Sequence, residues 1–188
     1  MKKVLLLLAN GFEAYEGAVF TDVMGFARNG GLEVDLTSTA LHKSLTCAFG
    51  FSVIPHSLLA EISPSDYDAL AVPGGTSQSG FYKDASREEF LATIREFNRA
   101  NKPLAAICTG GIPIAQSGVL QGRHGTTFPG KRQQEMAAHG VNVLSQDIVV
   151  DKNIITSSSP KTGIEVAFTL LAMLFPQRDL AGIRSFFQ

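Results

Sequence analysis

The sequence carries no surplus of either charge: 16 Lys and Arg stand against 17 Asp and Glu, a net of -1. A nucleic-acid or membrane-surface binder needs a basic excess, so that class is set aside. Cysteine is scarce. Two residues cannot form a disulfide scaffold, and a chain of 188 residues does not need one, which fits a reducing, cytoplasmic setting. No stretch approaches the ~20 apolar residues of a membrane span. Lys2 and Lys3 followed by Val4–Ala9 imitate a secretory signal. That run falls short of a signal core of roughly 7–15 residues, and Glu13 and Glu16 follow it with no small-residue cleavage site. The two Cys and four His show no metal-ligand spacing. No Gly-rich phosphate fingerprint follows a strand. Neither a metal nor a cofactor is expected.

Hydrophobic residues make up 45% of the chain and charged residues 18%, enough to fill a core. Eighteen Gly and eight Pro point to many tight connections. Val4–Ala9 reads as a central parallel strand, apolar throughout because both faces are buried. Ala14–Arg28 has helical spacing but is apolar nearly all round, which calls for a second partner besides the sheet. Leu32–Thr37 is the next strand. Leu45–Ala48 and Phe51–Ile54 read as short strands around Gly50. Tyr67–Val72 and Leu104–Ile107 are buried strands. Arg87–Asn101, Gly111–Ser117, Gly163–Phe175 and Leu180–Phe187 are helices, and Ile148–Val150 with Asn153–Thr156 form a hairpin. With no repeat and no linker, residues 1–188 read as one α/β domain around a mostly parallel sheet.

Three segments end a strand with unusual residues: Asn10 to Glu16, Pro73-Gly74-Gly75, and Ala106 to Gly111. In a parallel sheet all three open on one edge, where ligands bind. Cys108 follows a strand and precedes small residues and a helix, the arrangement of a nucleophile elbow. The helix N-terminus behind it favours thiolate over thiol and predicts a lowered pKa. Cys47 lacks that setting. Glu16 lies one turn into the first helix; a carboxyl in apolar surroundings stays protonated and can donate a hydrogen bond to a nearby sulfur. Glu13, three residues after Asn10, has the spacing of a capping box, a mainly structural role. Gly74 and Gly75 are candidate oxyanion donors, with the backbone at Thr109 beside the sulfur.

The combination resembles the ThiJ/PfpI superfamily, and within it the deglycase branch, over nearly the whole chain. The resemblance rests on Gly11 through Glu16, Asp22-Val23, Tyr67-Asp68, Pro73-Gly74-Gly75, Ala105-Ala106-Ile107-Cys108, Thr126-Thr127, and Ile154 to Ser157 with Pro160 and Thr162. It implies a flavodoxin-like three-layer sandwich, a homodimer, a nucleophilic and oxidisable Cys108, and a hydrogen-bonding Glu16. The chain departs from the pattern in three places. Thr109 stands where protease-type branches place a His, which argues against a protease. Phe128 stands where the deglycase branch often has a His, which puts Phe128 and Glu13 in the substrate pocket. Phe49 stands where relatives carry an Arg that could pair with Glu13 across a dimer. His42, His56 and His139 are expected on solvated surface.

Three functions follow. The first is a cofactor-independent, glyoxalase- or deglycase-like enzyme that adds the Cys108 thiolate to a small reactive carbonyl, with Glu16 moving protons. The second is a redox sensor or stress-protective protein in which Cys108 becomes a sulfinate. The third is an isonitrile-hydratase-like lyase, because Cys108-Thr109-Gly110 followed by Gly118-Val119-Leu120 and Gly122-Arg123 resembles that branch.

Overall fold

The computed structural model describes residues 1–50 and 52–187. At its centre lies β1 (Lys2–Leu8), where Val4 to Leu8 are at most 3% exposed. The strand is apolar throughout because helices cover both faces and a strand lies along each edge. Helix α1 (Ala14–Asn29) leads to β2 (Val34–Ala40), which pairs parallel to β1 from Lys2 opposite Val34 to Leu8 opposite Ala40. The excursion β3 (Leu45–Thr46) and β4 (Ser52–Val53) is antiparallel, and β5 (Ser57–Leu58) then extends the sheet beyond β2. The expected strand from Phe51 to Ile54 begins on a residue outside the described ones.

The chain next returns to the other side of β1 with β6 (Ala69–Val72). Helices α2 (Phe81–Ala85) and α3 (Glu88–Arg99) lead to β7 (Leu104–Ala106), and α4 (Gly111–Gln116) follows. Strands β8 (His124–Gly125) and β9 (Asn142–Val143) pair on either side of α5 (Lys131–Ala138). The hairpin β10 (Ile148–Asp151) and β11 (Ile154–Ser157) precedes α6 (Gly163–Leu174) and α7 (Ala181–Arg184). Among the described residues the main sheet has seven strands in the order β10-β11-β7-β6-β1-β2-β5, and β10 alone runs antiparallel. Right-handed crossovers place α1 on one face and α3 on the other, because β1 to β2 and β6 to β7 step in opposite directions. Helix α6 packs on α1, and α4 packs on α3. The result is the flavodoxin-like three-layer sandwich.

Several expected boundaries move. Strand β2 runs to Ala40, with the polar Ser38 and Thr39 buried because Ser38 Oγ bonds His56 Nδ1 at 2.7 Å and Thr39 Oγ1 donates to the Ser57 carbonyl at 3.2 Å. Strand β6 starts at Ala69, since Tyr67 still belongs to the turn Pro64–Asp66 that precedes it. Helix α1 finds much of its second partner within the chain: α6 lies along it, and Phe26 stacks on Phe186 at 5.0 Å. His42 and His56 lie on the exposed surface as expected, and each also bonds a neighbour, His56 with Ser38 and His42 with Asp84 at 3.0 Å. Among the described residues no helix is long and apolar enough to cross a membrane.

The step from β7 into α4 tolerates no side chain at Gly110, where a Cβ would sit 2.5 Å from the Val72 carbonyl oxygen and 3.0 Å from Pro73 backbone. Gly110→Ala is expected to cost about 2–3 kcal/mol as overpacking. Gly182→Ala, which meets nothing within 4 Å, should stay within about 0.5 kcal/mol. Urea midpoints compare the two, and equal midpoints would refute this account of the turn.

Candidate active site

The sheet changes direction at β1: the chain moves to β2 on one side and returns to β6 on the other. In doubly wound sheets such a switch point opens a crevice at the carboxyl ends of the strands. The three loops singled out in the sequence meet there. Glu13 N–H donates to the Gly74 carbonyl at 2.7 Å, Phe12 forms an isolated bridge with Gly75, and Ile107 N–H donates to the Val72 carbonyl at 3.2 Å. The glycine pair is dictated by close approach. A Cβ on Gly74 would lie 2.5 Å from Thr109 Oγ1, and one on Gly75 2.4 Å from the Gly11 carbonyl oxygen.

Cys108 takes a φ of +54°, the left-handed region that costs a residue with a Cβ about 1–3 kcal/mol. Its surroundings hold it there. The Cys108 carbonyl accepts from Thr127 Oγ1 at 2.8 Å, and a tight turn, Cys108–Gly110, runs straight into α4. The sulfur is 5% exposed, the Thr109 N–H points at it, and the Glu16 carboxyl lies within hydrogen-bonding reach. This is the elbow geometry that the spacing predicts.

Glu16 is fully buried. Its Oε2 accepts the Gly74 N–H at 2.6 Å, while Oε1 has no nitrogen or oxygen partner and faces the thiol. Burial pushes the carboxyl up to about 8; the Gly74 bond pulls the other way and the charge of Glu13 adds to the rise. The thiol does not follow the helix-dipole expectation. Burial and the charge of Glu16 push Cys108 up, and the Thr109 N–H offsets only part of this. The two groups therefore carry at most one negative charge between them. A thiolate forms when Glu16 holds the proton, because two buried anions side by side are prohibitive.

Glu13 does not complete a capping box. The Asn10 side chain accepts the Thr46 N–H at 2.8 Å, the Asn10 N–H donates to Asp84 at 2.9 Å, and α1 starts with no side-chain cap. The Glu13 carboxyl instead lines the cleft, where partial burial raises its pKa. Both glycine N–H groups are engaged within the fold, Gly74 by Glu16 and Gly75 by Thr109 Oγ1 at 2.8 Å. Thr109 Oγ1 also donates to the Gly75 carbonyl at 2.8 Å, so it ties the two loops together.

A cleft of about 280 Å³ opens over the sulfur, lined by Glu13, Gly75, Thr109 and the half-exposed Phe128, and by Ser77 and Arg132. Sequence reasoning missed Arg132 and its neighbour Tyr82. The guanidinium of Arg132 lies 4.2 Å from the centre of the Tyr82 ring. The buried Tyr82 hydroxyl has no hydrogen-bond partner among the described residues, and burial pushes its pKa up to about 12. One sequence signal was available: α5 opens with Lys131-Arg132 and no acid, against the preference of a helix N-terminus for negative charge. Among the described residues no group of three or more His, Cys, Asp and Glu side chains converges to hold a metal ion.

The DJ-1/PfpI family model matches residues 2–173. A protein named deglycase from Pyrococcus horikoshii is 32% identical over 158 residues, covering 84% of this chain and 90% of that one. Protein DJ-1 homolog A of Arabidopsis thaliana is 27% identical over 185 residues; the match covers 98% of this chain but 46% of that protein. The crystal structure of Drosophila melanogaster DJ-1beta superposes with a TM-score of 0.85 at 24% identity, covering 99% of this chain and 97% of that one, which shows a shared fold.

The raised carboxyl gives a stability signature. Glu16 binds its proton more tightly in the folded chain, about 8 against an ordinary 4.5. The folded state therefore gains from that proton below the ordinary value and loses the gain as pH rises through about 8. Between those limits stability should fall by about 1.4 kcal/mol per pH unit on account of this residue. Glu16→Gln keeps an acceptor for Gly74 and a donor for the sulfur, and should flatten that slope. Urea unfolding across this pH range checks it; parallel slopes in the two proteins would show that Glu16 is already ionised.

Proposed function

The chain belongs to the DJ-1/PfpI family, and we propose on that premise that it converts small reactive carbonyl compounds without a cofactor, Cys108 being the nucleophile and Glu16 its proton partner. The observation that carries this reading is the buried, proton-holding carboxyl set against the sulfur of a strained cysteine. The thiol loses its proton to water while Glu16 keeps its own, and the thiolate adds to the aldehyde carbon of a 2-oxoaldehyde. The new alkoxide takes the Glu16 proton and a hemithioacetal results. Glu16, now ionised, removes the proton on that carbon and delivers it to the neighbouring one, giving a thioester of a 2-hydroxy acid. Water releases the acid and restores the thiol, and Glu16 regains its proton from solvent. No oxidant is consumed, since the aldehyde carbon is oxidised as its neighbour is reduced. The Gly75 N–H becomes available to a developing oxyanion when the Thr109 hydroxyl turns away from it. With Phe128 in place of a His, the proton transfers fall on Glu16. The name of the Pyrococcus relative, deglycase, supports carbonyl chemistry at this site.

A second reading rests on a separate observation: two donors, the Thr109 N–H and the Glu16 carboxyl, converge on the sulfur and would hold a sulfinate. The isonitrile-hydratase reading rests on sequence likeness alone. In the run that suggested it, Gly118 and Gly122 take positive φ in turns, and Arg123 bonds Asp151 at 3.0 Å to fasten β8 to β10. We also propose a homodimer through the exposed side of α1. There an apolar groove of about 180 Å³ is lined by Leu8, Phe12, Ala18 and Val53, and Tyr15 is 49% exposed.

Incubation with methylglyoxal should yield lactate. Cys108→Ser should abolish it, and Glu16→Gln should reduce it by about 10²–10⁴-fold, the scale of general acid–base catalysis. Absence of lactate from the unaltered protein would refute the enzymatic reading. Peroxide followed by mass spectrometry tests the second reading: Cys108 should stop at two added oxygens, with sulfinate stability falling from wild type to Glu16→Gln to Glu16→Asp. A protein that sediments as a monomer at micromolar concentration would refute the dimer.

A further inference from the structure

We propose that Arg132 is a specificity-determining residue that selects 2-oxoaldehydes bearing a carboxylate over neutral ones. The inference rests on the carbonyl chemistry proposed above for Cys108. Arg132 lines the cleft that holds the sulfur, and its side chain is about a quarter exposed, in reach of a ligand but fixed in direction. Three contacts fix it. The Tyr82 ring lies beneath the guanidinium at 4.2 Å, Ser77 Oγ accepts from Nη2, and Glu135 accepts from Nη1.

The stability of α5 explains its placement only in part, through the i,i+3 pair with Glu135. Arg132 sits in the first turn, where a positive charge opposes the helix dipole. Yet a guanidinium carries five N–H donors in a planar fork, and the contacts to Ser77 and Glu135 use two of them. The remaining edge can meet a carboxylate in paired hydrogen bonds. The opposing charges in the cleft are few. Glu16 holds its proton to about pH 8, and burial raises the pKa of Glu13. Glu135 is the one carboxylate bonded directly to the guanidinium, so it competes with an anionic ligand for the fork.

Alkylation of Cys108 by two reagents tests the charge alone. Iodoacetate and iodoacetamide both lose iodide to the same thiolate, so the ratio of their rates cancels the thiolate fraction and reports the field over the sulfur. Peptide mass spectrometry reads Cys108 specifically. Arg132→Gln should lower the iodoacetate-to-iodoacetamide ratio by about threefold or more, and Arg132→Lys should lower it less. Glu135→Gln should raise it. An unchanged ratio in Arg132→Gln overturns the proposal; if that variant fails to fold, an unchanged ratio in Glu135→Gln overturns it. Turnover supplies the second arm: kcat/KM for 4,5-dioxovalerate, a 2-oxoaldehyde with a terminal carboxylate, relative to methylglyoxal should fall in Arg132→Gln. A protein that converts neither compound but whose alkylation ratio responds refutes the carbonyl reading and leaves Arg132 as an anion-reading residue. A protein that converts methylglyoxal with an unresponsive ratio refutes the role of Arg132 and leaves the carbonyl reading standing.

Discussion

Burying the carboxyl of Glu16 beside a thiol is the constraint on which the site depends. A carboxylate taken out of water needs a compensating charge or a proton, and among the described residues no cation pairs with it. Its Oε2 accepts from the Gly74 N–H, a neutral group that offsets only part of the burial penalty. The carboxyl therefore stays protonated into the neutral range, so that a thiolate formed beside it faces a neutral hydrogen-bond donor and not a second anion. The same hydrogen bond joins α1 to the end of β6, so the proton inventory and the packing of the crevice are set by one contact.

The strain at Cys108 follows from the same geometry. A sulfur placed opposite Glu16 must stand at the very end of β7, before α4 begins. A residue with a Cβ reaches that point only through the left-handed region. Thr127 holds the Cys108 carbonyl, and Thr109 holds the Gly75 loop through both its N–H and its carbonyl. Gly74, Gly75 and Gly110 are required because backbone and side chains meet there at distances no Cβ could tolerate. The rigid half of the site is thus made by strand ends and glycines. Its outer half, from Phe128 to Arg132, belongs to the loop and short helix that close over the cleft.

The sequence made the rigid half legible and the outer half largely not. Val4–Ala9 announced a buried central strand, and the three strand-end motifs converge as a parallel sheet demands. Glu16 over Glu13 was readable from position alone, one turn into the helix. That Glu13 lines the cleft and does not complete a capping box was not, because Asn10 gives its side chain to Thr46 and its N–H to Asp84, partners 36 and 74 residues away. The direction of the Cys108 pKa was misread because the local helix end is visible in sequence whereas desolvation is a property of the assembled fold. Tyr82 and Arg132 escaped notice because α2 and α5 are short, and α5 buries only Met136, so no apolar period marks them.

The central claim is that the Glu16 carboxyl is protonated beside the sulfur near neutral pH. Infrared difference spectroscopy of the carboxylic acid C=O stretch tests it directly, with Glu16→Gln as the reference. The account predicts a protonated-carboxyl band at about pH 6, absent from the Gln protein, that disappears as pH rises through about 8. A band that is already gone at about pH 6, having titrated near the ordinary value of 4.5, would contradict it.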